Sequence, residues 1–242
     1  MHNTPAKRQA FSEHLQELRS RILVSVVALV IGTISGYLLH QTILDFLIRP
    51  LHQPVFYSSP SGGFDFILKI SLFFGFLVAL PVFTYQLLRF IAPALPYQSP
   101  KRLMMLLVAS CVLLVTGMCF AYLVSLPAAL FFLNTFATGQ IKALITTDEY
   151  LSFVTRYLLG FGLLFQLPLI MLTINSVQRI PARKLMGFQR WVIVLSFLVA
   201  AILTPTPDVF NQALMAVPQI LLYEFTVAVL LLVNRKHHVT PD

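Results

Sequence analysis

The chain alternates long apolar runs with shorter polar stretches. Six runs stand out: Ile22 to Leu39, Ile70 to Leu88, Leu103 to Leu126, Leu151 to Ile174, Trp191 to Leu203 and Val209 to Val233. A bilayer core takes about 20 residues of helix, and five of the runs reach that or come close. The fifth has 13 residues, or 16 counted from Phe188. It is expected to span only with local thinning of the bilayer or help from its neighbours. A re-entrant hairpin of the fifth and sixth runs is the alternative; it keeps both ends on one side and leaves the remaining topology unchanged. The pattern predicts an all-α integral membrane protein. Residues 1–21 form a cytoplasmic amphipathic helix, spans run at about 22–39, 70–88, 103–126, 151–174, 188–203 and 209–233, and residues 234–242 form a cytoplasmic tail.

The segments between the runs carry their own signals. Residues 40–69 and 127–150 are partly apolar (Phe46, Leu47, Ile48; Phe131, Phe132, Leu133), which favours short interfacial helices over open coil. Thr147-Asp148-Glu149 reads as an N-cap followed by acids in a first helical turn. Pro81, Pro168 and Pro218 fall inside spans and Pro127 follows the third; each frees a backbone carbonyl and can kink a helix. No repeat relates the two halves of the chain, which argues against an inverted-repeat transporter.

Composition supports the membrane reading. Of the 242 residues, 57% are hydrophobic and 11% charged, against roughly 25% charged in soluble domains. Too few charges remain to cover a soluble surface. The net charge of +8 raises nucleic acid as a partner, but no basic run exceeds two residues, so no nucleic acid is expected. Instead, 13 of the 17 Lys and Arg residues fall in 1–21, 89–102, 175–190 and 234–242. The positive-inside rule then places both termini in the cytoplasm. Residues 1–21 are polar and include Glu13 and Glu17, and no small-residue cleavage site follows. The N-terminus is therefore not read as a secretory signal. Cys111 and Cys119 lie eight residues apart, about 12 Å along a helix, too far for a disulfide between them.

Enzyme chemistry has no foothold. HExxH, GxSxG and P-loop motifs are missing, and no His, Cys and carboxylate spacing suggests a metal, so no metal or cofactor is expected. Polar residues inside spans are the informative ones. Glu224 is the strongest, and reads as a proton carrier, a buried hydrogen-bonding group or a side chain snorkelling to the surface. Gln166, two residues before Pro168, is next, followed by Asn211, Gln212 and Gln219. In the N-terminal helix, Phe11, Leu15, Leu18 and Ile22 share one face, and Glu13, Glu17 and Arg21 another. The second face is either a solvated surface with an i,i+4 ion pair or a carboxylate pair suited to guanidinium groups.

Five motifs, in order, carry a family resemblance: His14-Leu15-Gln16-Glu17-Leu18-Arg19-Ser20-Arg21; Phe90-Ile91-Ala92-Pro93-Ala94-Leu95; Phe120-Ala121-Tyr122; Phe161-Gly162-Leu163-Leu164-Phe165-Gln166-Leu167-Pro168; and Leu203-Thr204-Pro205-Thr206-Pro207-Asp208-Val209-Phe210-Asn211-Gln212. Together they resemble TatC, the receptor subunit of the bacterial twin-arginine translocase, from about Phe11 to Val233. The resemblance implies six helices in a concave, glove-like bundle in the bacterial cytoplasmic (inner) membrane. It implies a receptor for twin-arginine signal peptides of folded cargo, working in a multi-copy complex with single-span TatA- and TatB-type partners and driven by the proton gradient. Glu17, with Arg19 and Arg21 beside it, matches the signal-peptide site, as do Phe90, Pro93 and Leu95. Pro50 matches a functionally sensitive position of the first outer loop, and Tyr122, Asp208 and Gln212 match positions near the outer side and the partner-binding helices. Two departures stand out. Relatives carry an acid shortly after Ala-Pro-Ala-Leu, whereas this loop continues Pro96-Tyr97-Gln98-Ser99-Pro100-Lys101-Arg102; Glu13, one turn before Glu17, is the substitute carboxylate. Gln166 stands where many relatives have Glu. The competing expectation is a small-solute or ion transporter with Glu224 as its coupling residue.

Overall fold

The structure, a computed structural model, describes residues 5–51, 53–91, 100–136, 144–204 and 208–236. Its helices are α1 (Pro5–Leu38), α2 (His40–Ile48), α3 (Gly62–Ile91), α4 (Pro100–Phe120), α5 (Leu126–Asn134), α6 (Thr147–Leu164), α7 (Leu167–Val177), α8 (Ala182–Leu203) and α9 (Val209–Lys236). A 3₁₀ turn, Arg49–Leu51, follows α2, and a π turn, Ala121–Ser125, joins α4 to α5. Six helical stretches are long and apolar enough to cross a membrane: Gln16–Leu38, Gly62–Phe90, Leu103–Asn134, Thr147–Ser176, Lys184–Leu203 and Val209–Leu232.

These stretches extend past the apolar runs. The fifth is 20 residues long, about 30 Å at 1.5 Å per residue, because Lys184 and Arg190 sit on helix rather than in a loop. The helix is therefore longer than its apolar run of 13 or 16 residues, and Lys184 and Arg190 can reach outward along it toward a polar surface. With α8 and α9 both of spanning length, two crossings fit better than a re-entrant hairpin.

Two proline effects shape the long stretches. Pro127 has no N–H to donate, and its ring would press on the carbonyl four residues back. The helix widens just before it: the Leu126 N–H bonds the Ala121 carbonyl, five residues back, which defines a π turn. Pro168 sits in the first turn of α7, and the chain breaks at Phe165 and Gln166. The Gln166 N–H bonds the Leu163 carbonyl at 3.0 Å, a tightened turn that turns the Gln166 side chain out of the helix.

The chain forms two compact units. The first comprises residues 1–44 and 64–107. Its core is a close approach of α1 and α3 through small residues. A Cβ on Gly32 would lie 2.8 Å from the Gly75 carbonyl oxygen, one on Gly36 2.7 Å from that of Ser71, and one on Gly75 2.5 Å from the Thr33 nitrogen. Gly32-x₃-Gly36 thus faces Ser71-x₃-Gly75, a spacing that lets membrane helices touch backbone to backbone.

The second unit comprises residues 45–63 and 108–242. Helix α6 is its centre: Tyr150, Leu151, Phe153, Val154, Tyr157, Leu158 and Phe161 are all buried. The rings of Phe153, Tyr157 and Phe161 follow one another along the helix at 4.9 and 5.8 Å, and Phe120 of α4 packs on Phe161 at 5.5 Å. Gly117 admits this contact, since a Cβ there would sit 2.7 Å from the Phe161 carbonyl oxygen. Helices α8 and α9 pack along one another. Their ends away from the Thr204–Asp208 link hold a cluster of Leu185, Tyr223, Val227 and Leu230, fixed by the Tyr223 hydroxyl donating to the Leu185 carbonyl at 2.7 Å. The α6 cap is Thr146, one residue before the expected Thr147. Its hydroxyl accepts the Glu149 N–H and donates to the Glu149 carboxylate. Two adjacent threonines compete for the cap; Thr147 instead donates its hydroxyl to the Phe56 carbonyl.

Candidate functional site

In the first unit, α1 and α3 bring together residues from distant parts of the sequence. The Arg21 guanidinium pairs with the Glu17 carboxylate one turn earlier and donates to the Gln86 carbonyl at 3.1 Å. That carbonyl lies in the last turns of α3. The Arg21 side chain is 12% exposed and that of Glu17 44%, so the pair has one buried and one open end. The neighbouring groove, of about 170 Å³, is lined by Leu18, Ile22, Phe83, Leu87 and Phe90 together with Arg21. The groove walls are apolar and can take apolar bulk, and the charged residue at the groove, Arg21, is paired with the Glu17 carboxylate beside it.

Of the predicted residues, Glu17, Arg21 and Phe90 gather here. Arg19 does not. Two residues beyond Glu17, it points to the opposite side of α1 and is exposed. Glu13 lies within α1, but its side chain is outside the described residues, and so are Pro93 and Leu95. Gln86, which fixes Arg21, was not anticipated. No local pattern marks a backbone carbonyl 65 residues away.

In the second unit, the polar residues do different work. The Tyr122 hydroxyl donates to the Phe46 carbonyl at 2.6 Å, and Tyr150 to the Leu47 carbonyl at 2.8 Å. Both carbonyls are in the last turn of α2, where intrahelical partners run out. Tyr122 also stacks on Phe46, ring centres 4.3 Å apart. Pro50, half-buried in the 3₁₀ turn, ends α2 at this point. The Phe56 backbone then bonds Ile145 and Thr147, tying the same loop to the start of α6. Pro50 and Tyr122 therefore belong to one clamp. Tyr150, its third member, was missed although it is a polar aromatic in the first turn of a span.

Gln166 makes a reciprocal pair with α4. The Ser110 hydroxyl donates to its amide oxygen at 2.8 Å, and its amide nitrogen donates to the Ser110 carbonyl at 3.0 Å. Asp208 caps α9: its carboxylate accepts the Asn211 N–H at 2.7 Å and the Asn211 side-chain amide at 2.8 Å. Gln212 is half-buried in the same first turn. Glu224 is half-buried further along α9, with one carboxyl oxygen buried and without a hydrogen-bond partner among the described residues. Asn175 was also missed; it is buried, bonds Asn234 and accepts the Ile180 N–H. It lies one residue past the fourth apolar run, so counting amides within the runs would not have found it. Cys111 and Cys119 are free thiols.

The family model for the Sec-independent protein translocase protein TatC matches residues 13–218. The chain belongs to the TatC family. A TatC from Aquifex aeolicus is 34% identical over 232 residues, covering 93% of this chain and 96% of the relative. One from Magnetococcus marinus is 35% identical over 221 residues, covering 89% and 81%. Two crystal structures of the twin-arginine translocase receptor TatC superpose with a TM-score of 0.81 at 34% identity. The first of them covers 89% of this chain and 98% of its own. The resemblance carried by the five motifs is thereby confirmed. TatC is a component of a protein translocase rather than an enzyme, and six apolar helices make this chain a multi-pass membrane protein. The solute-transporter expectation for Glu224 gains no support from these matches.

Proposed function

We propose that this TatC chain is the receptor of a twin-arginine translocase in a bacterial cytoplasmic membrane. It binds twin-arginine signal peptides at its cytoplasmic face and exports folded cargo with TatA- and TatB-type single-span partners, in a multi-copy complex driven by the proton gradient. The observation that carries this reading is the joining of Glu17, through Arg21, to a groove that contains Phe90. A signal peptide combines paired arginines with an apolar stretch, and this site offers a carboxylate beside apolar walls. The crystal structures to which the chain is similar are described as twin-arginine translocase receptors. Thirteen of the 17 Lys and Arg residues on one set of flanks support placing both termini in the cytoplasm.

An exposed carboxylate–guanidinium contact contributes less than about 1 kcal/mol. Useful affinity therefore comes from several charge-assisted bonds together with apolar burial in the groove. The test is complementation. The chain is expressed with matching TatA and TatB in a strain without its own TatC, and export of a folded twin-arginine reporter is followed alongside signal-peptide crosslinking. Export and crosslinking that both fall on Glu17→Ala or Phe90→Ala are the expected result. Stable insertion with partners bound but no crosslinking in the unmodified chain would overturn the receptor role.

A further inference from the structure

The first turns of α8 carry a charge imbalance that the receptor role leaves unexplained. Residues 150–207 contain no Asp or Glu, yet Lys184 and Arg190 stand exposed near the start of α8. Neither makes an ion pair among the described residues. The helix N-terminus beside them is also positive, and no acid occupies its first turn. Lys184 thus adds to the positive helix terminus where a soluble helix would place carboxylates, and Arg190 follows about two turns further on.

Two open grooves meet at the same point. One, of about 560 Å³, is lined by Lys184, Gly187, Phe188, Arg190, Trp191 and Leu195. The other, of about 480 Å³, runs past Met186, Gln189 and Ile193 and shares Gly187 and Arg190 with the first. Gly187 forms the notch between them, and a Cβ placed there would meet no atom within 4 Å. Away from the charges, each groove continues onto apolar surface, with Leu195 and Val194 exposed further along the helix. Trp191 and Phe188 flank the notch, and Trp is a residue type enriched at membrane–water interfaces.

We propose that this notch is a binding site for an anionic phospholipid. The phosphate sits over Gly187 between Lys184 and Arg190, and the two acyl chains lie in the two grooves, one along Trp191 and Leu195 and the other along Ile193. The pairing of one cationic centre with two adjoining grooves, one mostly apolar and one of mixed lining with Met186 and Ile193, fits a diacyl lipid; free phosphate would leave both grooves unfilled. The site requires only that α8 cross a membrane, and it is independent of signal-peptide recognition.

The chain holds a single tryptophan, so Trp191 reports on the site directly. The full chain is reconstituted in bilayers containing brominated phosphatidylglycerol or brominated phosphatidylcholine, and quenching of Trp191 fluorescence gives their relative binding. A basic residue near an anionic surface contributes about fivefold, so a preference for phosphatidylglycerol of at least about fivefold is expected, and roughly 25-fold at full effect of both cations. In Lys184→Gln/Arg190→Gln the two lipids should quench equally, and that residual quenching shows the variant has inserted. Lys184→Arg/Arg190→Lys should keep the preference, while Gly187→Phe should lower it by filling the notch. Equal quenching by both lipids in the unmodified chain would overturn the proposal. So would quenching by neither, which would mean that a second copy or a partner helix covers this face.

Discussion

The Glu17–Arg21 pair of the first unit and the Gln166–Ser110 pair of the second are both side-chain pairs in helical segments, yet they behave oppositely. The first is ionic, lies one turn apart on a single helix and is open to solvent at the Glu17 end. Such a pair holds little stability and can exchange partners. The second is neutral, links residues 56 apart, and satisfies donor and acceptor on both sides. Breaking it strands polar groups inside an apolar helix bundle. The proposed receptor role calls for both kinds: a carboxylate that can release its own arginine for another, and a frame that does not yield when it does.

That contrast can be broken at its base. Gly75→Val should have the largest effect, because its Cβ would meet the α1 backbone near Thr33, where no flexible side-chain end can give way. A loss of more than about 3 kcal/mol is expected, read as loss of protease-resistant protein in detergent. Next, Gln166→Leu should cost about 2 kcal/mol by leaving the Ser110 hydroxyl and its surroundings unsatisfied. Thermal unfolding in detergent would show it, while signal-peptide crosslinking per folded molecule stays unchanged. Tyr150→Phe should cost about 1 kcal/mol, the net worth of one hydrogen bond, and loosen α2, detectable as faster hydrogen exchange at residues 46–48. Glu17→Ala should barely change stability, by less than about 0.5 kcal/mol, yet reduce crosslinking severalfold, up to about fivefold for a contact worth about 1 kcal/mol. If Glu17→Ala melted the protein as strongly as Gln166→Leu, the distinction between the two pairs would fail.

The sequence showed the spans and their order because apolar runs of this length have few other uses, and the five motifs pointed to the family. Its errors have local causes. The helix of the fifth span runs past its apolar count because Lys184 and Arg190 sit on its first turns, and a helix carries them without difficulty. The cap of α6 was displaced by one residue because Thr146 and Thr147 are equivalent in pattern. The placement of Arg19 beside Glu17 followed sequence adjacency, whereas a helix sends residues two apart to opposite sides. The long-range partners of Arg21, Tyr122 and Gln166 were invisible for a deeper reason. Two of those contacts are to backbone carbonyls and the third to a serine on another helix, and hydrophobic periodicity records none of them.

The π turn at Ala121–Ser125 has a consequence for how the third span is compared with its relatives. One extra residue within a helical turn advances everything beyond it by about 100° of rotation. The span thus has two phases: α4 directs Ser110 and Gly117 toward α6 and α7 in one, and α5 directs Phe132 toward Phe210 of α9 in the other. An alignment or a designed variant that treats residues 103–134 as one uniform helix will assign the wrong face to every position after Ser125. A one-residue gap between related chains belongs inside this turn, because there an insertion or deletion switches the phase rather than disrupting the packing on either side.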